Sequence, residues 1–552
     1  MRKRWTGRLP VALVYPNQYT LGMSSLGFQL VYALANELPE VACERVFLPA
    51  AGQRPRSVES GRELAEFAVV LVSISFEQDL PNLVRLLAAA GLPPLARERQ
   101  DRAWPLVVAG GVATFINPEP LAPFVDLMLL GEAEALLPSF FAQLLAAGNA
   151  GREALVFRLA QELPGCYAPR FYQPRTDSDG TFLGFEVTAG LPAQVQRQTS
   201  PAPATAGHSR LFSPEAAFAN MYAVELGRGC SRGCRFCAAG FVYRPPRPWP
   251  SPAIAAALAA RPPEIVRLGL LGMEMIPAAE LATLAGALAG TGCRLSFSSL
   301  RADALSPALL DLVAAGQAKT VAIAPDAASE RLRRVINKGL AAADILAAAE
   351  ALADRGVRSL KLYLMIGLPT ETEEDLREWL DLVRQLRERL LAVGRRRGRM
   401  TTLVLSVNPF VPKAWTPFQW EAMAPPPVLR QRLAWLRQHL AGLGNLRLDA
   451  ETPASCLLQG VLARADRRLG EAIALGMDRP GGWRRACQEA GLSPAAAALR
   501  ERGEDEAFPW EVVRQGVSRQ YLWAERQRAR AGQATPPCQP ARCRACGVCR
   551  EG

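Results

Sequence analysis

No run of about 18 uncharged apolar residues occurs in the 552-residue chain, which leaves no candidate for a membrane-spanning helix or a membrane partner. The longest apolar stretch, 67–76, has the length of a buried strand. The chain starts with basic residues (Arg2, Lys3, Arg4), but 10–16 is too short for the apolar core of a secretion signal and no A-x-A cleavage site follows, so a cytoplasmic protein is expected. Aromatic residues are only 7%, yet hydrophobic residues are 49% and charged residues 21%, a balance that excludes wholesale disorder. Lysine occurs only at positions 3, 319, 338, 361 and 413, so arginine carries nearly all of the positive side of a net charge of +12. That surplus admits an anionic partner such as RNA, and it fits the codon usage of a GC-rich genome equally well. Histidine occurs twice, as His208 and His439.

At roughly 150 residues per domain, the length suggests three to four units. Residues 1–150 alternate short apolar runs (11–15, 68–76, 106–109, 127–130) with helical stretches, the pattern of a doubly wound, Rossmann-like parallel sheet. Pro, Gly, Ser, Thr and Gln become frequent over 151–213, which reads as an extended linker. Residues 214–423 resume the alternation, with strands expected at 221–226, 265–271, 294–299, 319–324, 359–366 and 402–407. Six β/α units imply a partial (β/α)6 barrel of the TIM type. Within it, 371–393 reads as a long helix with Thr370 as N-cap and Glu373 completing a capping box. Residues 424–530 read as mainly helical and 531–552 as a cysteine-bearing tail, so the fold class is α/β with a helical C-terminal region.

Twelve cysteines in a chain without export signals read as metal ligands before disulfides. Cys43, Cys166, Cys293, Cys456 and Cys487 are scattered and read as small buried hydrophobes. Cys230, Cys234 and Cys237 form a C-x3-C-x2-C group directly after the first barrel strand, in the segment Glu225-Leu-Gly-Arg-Gly-Cys230-Ser-Arg-Gly-Cys234-Arg-Phe-Cys237. Three thiolates in eight residues can wrap one corner of a cubane cluster and leave the fourth iron open to a ligand. A zinc knuckle lacking its fourth ligand is the alternative.

The C-x3-C-x-aromatic-C spacing, with Phe236 as the aromatic residue, resembles that of the radical S-adenosylmethionine (SAM) superfamily. The resemblance implies that the three cysteines hold a [4Fe-4S] cluster, that SAM chelates the open iron, and that one electron cleaves it to a 5′-deoxyadenosyl radical. It also implies SAM contacts from Phe236, from Gly272 and Glu274 after the second strand, from Ser298 and Arg301 after the third, and from Gly367 after the fifth. Leu271-Gly272-Met273-Glu274 matches the expected Gly-Gly-Glu turn only loosely. Further segments, Ser298-Ser-Leu-Arg301, Ile336-Asn-Lys-Gly339, Gly367-Leu-Pro-Thr-Glu371 and Pro409-Phe-Val-Pro-Lys413, are similar to a family of radical SAM proteins with an N-terminal B12-binding-like domain and a C-terminal cysteine group. Asp326 departs from that pattern, which has Glu.

Ser73, Ser75, Gly110, Gly111, Gly131 and Glu132 resemble the cobalamin-facing residues of the B12-binding fold. The Asp-x-His-x-x-Gly motif is missing, however, and no histidine falls in 1–150, which excludes a histidine cobalt ligand from this domain. Cobalamin without a protein ligand, a vestigial scaffold and a substrate-binding domain all remain open. Cys538, Cys543, Cys546 and Cys549 carry four thiolates in a C-x4-C-x2-C-x2-C run that fits an auxiliary [4Fe-4S] cluster, with structural zinc as the alternative. The resemblance therefore implies an enzyme reduced by a partner such as flavodoxin or ferredoxin, with methyl transfer to an unreactive carbon as one activity. Radical modification of RNA or a protein side chain is a second, and a non-enzymatic iron–sulfur redox carrier a third.

Overall fold

The computed structural model describes residues 3–100, 104–148, 151–276, 278–288 and 291–550. The N-terminal sheet has six strands in the order Val41–Phe47, Leu9–Tyr15, Val69–Ser73, Leu106–Gly110, Leu127–Leu129 and Cys166–Tyr167. All pair in parallel except the last, which runs antiparallel to its neighbour. The central strands are buried along nearly their whole length, because helices such as Leu26–Glu37 and Asp79–Ala89 cover the sheet and leave neither face to water.

Residues 151–213, expected as a linker, include a helix at Arg152–Glu162, the edge strand Cys166–Tyr167 and a hairpin of Tyr172–Thr176 with Phe182–Val187. The helix buries Val156, Leu159 and Ala160, so this stretch extends the first domain's core.

The six expected barrel strands form at Met221–Glu225, Arg267–Leu271, Arg294–Phe297, Thr320–Asp326, Ser359–Ile366 and Thr402–Pro409. The first three make one parallel sheet and the rest belong to a second, and a parallel bridge from Leu300 to Ile323 joins them. A seventh strand, Leu446–Ala450, pairs in parallel with Thr402–Pro409, in a region expected to be mainly helical. Along Ser359–Ile366 the even-numbered residues Leu360, Leu362, Leu364 and Ile366 are buried, while Lys361, Tyr363 and Met365 alternate with them on the opposite face.

The C-terminal helices Pro453–Arg464 and Arg467–Gly476 pack back on the N-terminal domain. Asn117 donates to the carbonyls of Ala463 and Ala465 at 3.3 and 2.9 Å, and Arg467 pairs with buried Glu119 at 2.8 Å. One continuous apolar core runs from Ala12 through the barrel to Cys546. Among the described residues no helix is long and apolar enough to cross a membrane.

Candidate active site

The three-cysteine loop leaves the carboxyl end of the first barrel strand, the end at which barrel enzymes gather their sites. Gly229 takes φ +91, and a Cβ there would lie 2.8 Å from the Tyr243 carbonyl oxygen, so the loop folds this tightly only with glycine. Cys230, Cys234 and Cys237 are each partly accessible. Burial pushes the Cys234 thiol up to about 12 and raises Cys230 and Cys237 as well, so a positive centre is needed to hold them as thiolates. Among the described residues no three Cys, His, Asp or Glu side chains converge on one ion.

Phe236 belongs to this loop, and Gly272, Glu274, Ser298 and Arg301 lie beside it. Gly272 is left-handed at φ +83 and its N–H donates to Ser298 Oγ at 3.3 Å. Glu274 accepts from Arg232 Nε at 3.0 Å, which ties the second strand's turn to the cysteine loop. Arg301 is buried, doubly bonded to Asp303 at 2.8 Å and bonded to the Lys338 carbonyl at 2.9 Å. Phe236 is half-buried against the core. Gly367 ends the fifth strand, but its N–H is taken by Glu371 at 3.0 Å, and a Cβ there would meet Ala424 and Leu429. It holds its turn against a helix and carries no side chain toward the loop.

Sequence reasoning missed two buried groups here. Lys338 Nζ bonds Asp326 Oδ2 at 2.7 Å; burial opposes its charge, but Asp326 and Cys234 outweigh burial and raise its pKa. Glu371 is fully buried and paired with Arg432 at 2.6 Å. The signal for Lys338 was its rarity: in a chain that nearly always uses arginine, a lysine marks a place needing a compact charge on a slender stem. Lys413, paired with Glu77 at 2.5 Å, is a second such position.

At the carboxyl ends of the N-terminal strands lies a cavity of about 330 Å³. Ser73, Ser75, Gly110, Gly111, Gly131 and Glu132 all line it, with apolar walls from Leu30, Val112 and Phe115. Its far wall comes from the barrel, through Glu225, Arg228 and Tyr243. Glu132 is engaged by Arg228 at 2.9 Å, by Arg247 and by the Ser200 N–H at 3.0 Å, so it locks the two domains together. Although no histidine belongs to residues 1–150, His208 reaches this cavity from the segment ahead of the barrel. Its Nδ1 donates to the Ala206 carbonyl at 2.8 Å, and burial holds the ring below the usual imidazole range.

The four-cysteine tail, read from the sequence as a separate unit, lies against the first loop. The Cys538 N–H donates to the Ser231 carbonyl at 2.6 Å.

Residues 224–383 match the family model described as the Radical SAM superfamily, and residues 27–169 match the model described as radical SAM proteins, N-terminal. An uncharacterized protein of Methanocaldococcus jannaschii is 26% identical over 468 residues, which span 84% of this chain and 90% of that protein. Among solved structures, the radical S-adenosylmethionine methyltransferase TsrM from Kitasatospora setae is 14% identical with a TM-score of 0.47, over 76% of this chain and 78% of its own. The cobalamin-dependent S-adenosylmethionine radical enzyme OxsB is 14% identical with a TM-score of 0.44, and the match covers 68% of this chain but only 52% of OxsB.

Proposed function

The chain belongs to the radical SAM superfamily and carries that superfamily's N-terminal domain ahead of the barrel, and on this premise we propose that it is a corrinoid-dependent enzyme transferring a methyl group to an unreactive carbon. The observation that carries the corrinoid is the 330 Å³ cavity, whose barrel-side wall, Arg228, stands two residues before Cys230. The cavity's residues fit the nucleotide tail of such a cofactor. Ser73 and Ser75 line a pocket whose apolar walls are interrupted by Glu132, His208, Glu225 and Arg228, a Cβ on Gly27 would meet nothing within 4 Å, and one on Gly110 would meet only the Leu129 oxygen at 3.7 Å. A [4Fe-4S] cluster with SAM supplies reductive cleavage to a 5′-deoxyadenosyl radical, and a corrinoid supplies methyl-group transfer.

Cys230, Cys234 and Cys237 would hold the cluster, while Gly272, Glu274, Ser298 and Arg301 orient SAM over it. Lys338 adds a fixed positive charge beside Cys234. The electron donor on this reading is a flavodoxin or ferredoxin.

The test is anaerobic reconstitution with iron, sulfide and hydroxocobalamin, followed by reductant and SAM. Corrinoid is expected to stay with the chain through gel filtration and 5′-deoxyadenosine to be released. Cys230→Ala should abolish cleavage and keep the corrinoid; Gly27→Phe should expel the corrinoid and keep the cluster. Cleavage without retained corrinoid would shift the reading to radical modification of an RNA or protein side chain. Intact SAM beside a reduced cluster would leave an iron–sulfur redox carrier.

A further inference from the structure

The tail is joined to the first cysteine loop at three points. Cys538 N–H bonds Ser231. Asn337 donates to the carbonyls of Arg232 and Gly233 at 3.3 Å and of Thr535 at 3.2 Å, and accepts from the Thr535 N–H at 2.9 Å. Arg235, fully buried between Cys234 and Phe236 in sequence, pairs with Glu525 at 3.1 Å and bonds the Gln533 carbonyl and Thr535 hydroxyl at 2.8 and 3.1 Å. These bonds hold the tail in one place beside the barrel mouth.

Arg244 stands between the two cysteine groups. It is 4% exposed, its Nε donates to the Gly240 carbonyl at 3.0 Å, and its guanidinium lies over the rings of Phe241 and Tyr521 at 4.6 and 5.2 Å. On one side, a Cβ on Gly233 of the first loop would be 3.4 Å from its terminal nitrogen. On the other it meets the Cys546 thiol, with Cys538 also in its field. No carboxylate pairs with it among the described residues, and a buried cation without a counter-charge is costly. The acidic groups in contact with Arg244 are the Tyr521 hydroxyl and the Cys546 thiol, so a metal-bound thiolate at Cys546 would supply its counter-charge.

We propose that Cys538, Cys543, Cys546 and Cys549 hold a second iron–sulfur cluster, separated from the barrel cluster by Arg244, and that electrons enter the enzyme through it. Four cysteines leave no open iron, so this cluster carries electrons and does not bind SAM. The C-x4-C-x2-C-x2-C run puts four thiols in a short stretch, and Cys543, Cys546 and Cys549 all lie in the field of Cys538. The positive charge of Arg244 favours the reduced, more negative state of its neighbours. A low-potential flavin or iron–sulfur protein gives one electron to the tail cluster. The tail cluster passes that electron to the barrel cluster and returns to its oxidised state. The electron then enters SAM, whose S–C5′ bond breaks to methionine and the 5′-deoxyadenosyl radical. The relay rests on the barrel being the SAM-cleaving centre; the second cluster does not.

The test uses the full chain, reconstituted with iron and sulfide, as wild type, as Cys230→Ala/Cys234→Ala/Cys237→Ala, and as Cys543→Ser/Cys549→Ser. Roughly eight irons are expected in the wild type and roughly four in the barrel variant, one [4Fe-4S] set. Electron paramagnetic resonance of the reduced wild type should show two interacting spins, and of the barrel variant one signal that SAM does not alter. The tail variant should cleave SAM with dithionite but lose cleavage driven by flavodoxin and its reductase; the dithionite reaction shows that it is folded. If it does not fold, the barrel variant's iron content still decides the cluster. Loss of all iron from the barrel variant, or one zinc per chain in it, would overturn the second cluster. Equal cleavage by the tail variant with both reductants would overturn the relay. If the barrel reading alone is wrong, no chain cleaves SAM while the barrel variant still loads roughly four irons.

Discussion

Glu132 shows how a side chain singled out by motif can be occupied with another task. It lines the N-terminal cavity, but its carboxylate is spent on Arg228 and Arg247. Burial would raise its pKa, but Arg247, Arg228 and the Ser200 N–H together outweigh burial and hold it below the ordinary 4.5. A carboxylate with a lowered pKa gives stability that is complete above its ordinary value and is lost as pH falls through the lowered one. Glu132→Gln should therefore melt earlier than wild type at pH 6–7, with the gap closing below about pH 4.5, as thermal unfolding across pH will report. Leaving two arginines without this partner costs roughly 3–5 kcal/mol at neutral pH. The motif was legible because glycine and acid sit at fixed steps after strands. The lock was not, since Arg228 and Arg247 lie 96 and 115 residues away.

The long helix Glu373–Arg397 is the element whose pattern was plainest, because its apolar face repeats at helical spacing over seven turns. Its cap sits two residues later than expected. Thr370 takes φ +65, outside a helix start, and Asp375 instead accepts from the Thr372 N–H and hydroxyl at 2.8 and 2.9 Å. Trp379 on this helix is fully buried, so Trp379→Ala should cost about 3–5 kcal/mol, measured by denaturant unfolding. The helix Arg152–Glu162 was hidden by the company it keeps: the Pro- and Ser-rich stretch after it dominated the composition of the window. The seventh barrel strand, Leu446–Ala450, is half-exposed and short, and only its pairing with Thr402–Pro409 makes it a strand.

At the scale of the molecule, sequence separated the domains and the structure joins them. Helix Arg467–Gly476 lies so close to the first domain that a Cβ on Gly470 would fall 2.3 Å from the Pro120 carbonyl oxygen. The surface pairs Arg85–Asp478 and Arg97–Glu471 flank this seam and contribute at most about 1 kcal/mol each. Backbone contact and the buried Arg467–Glu119 pair, not these surface pairs, therefore set the joint. Gly470→Val should force the helix away, lower stability and loosen corrinoid retention while iron content at the cysteine groups is unchanged; gel filtration with metal analysis will show whether it does. The scarcity of lysine has a practical side at this scale. Lys338 and Lys413 are tied up in ion pairs, Lys3 bonds the Leu38 and Val41 carbonyls, and Lys361 lies on the half-buried face of its strand over Tyr363. Lys319 alone is exposed, at the amino end of the fourth barrel strand and so at the foot of the barrel, opposite the cysteine loops. Amine-directed coupling should thus tether the enzyme to a surface through one lysine, with the barrel mouth and both cysteine groups turned outward toward solution.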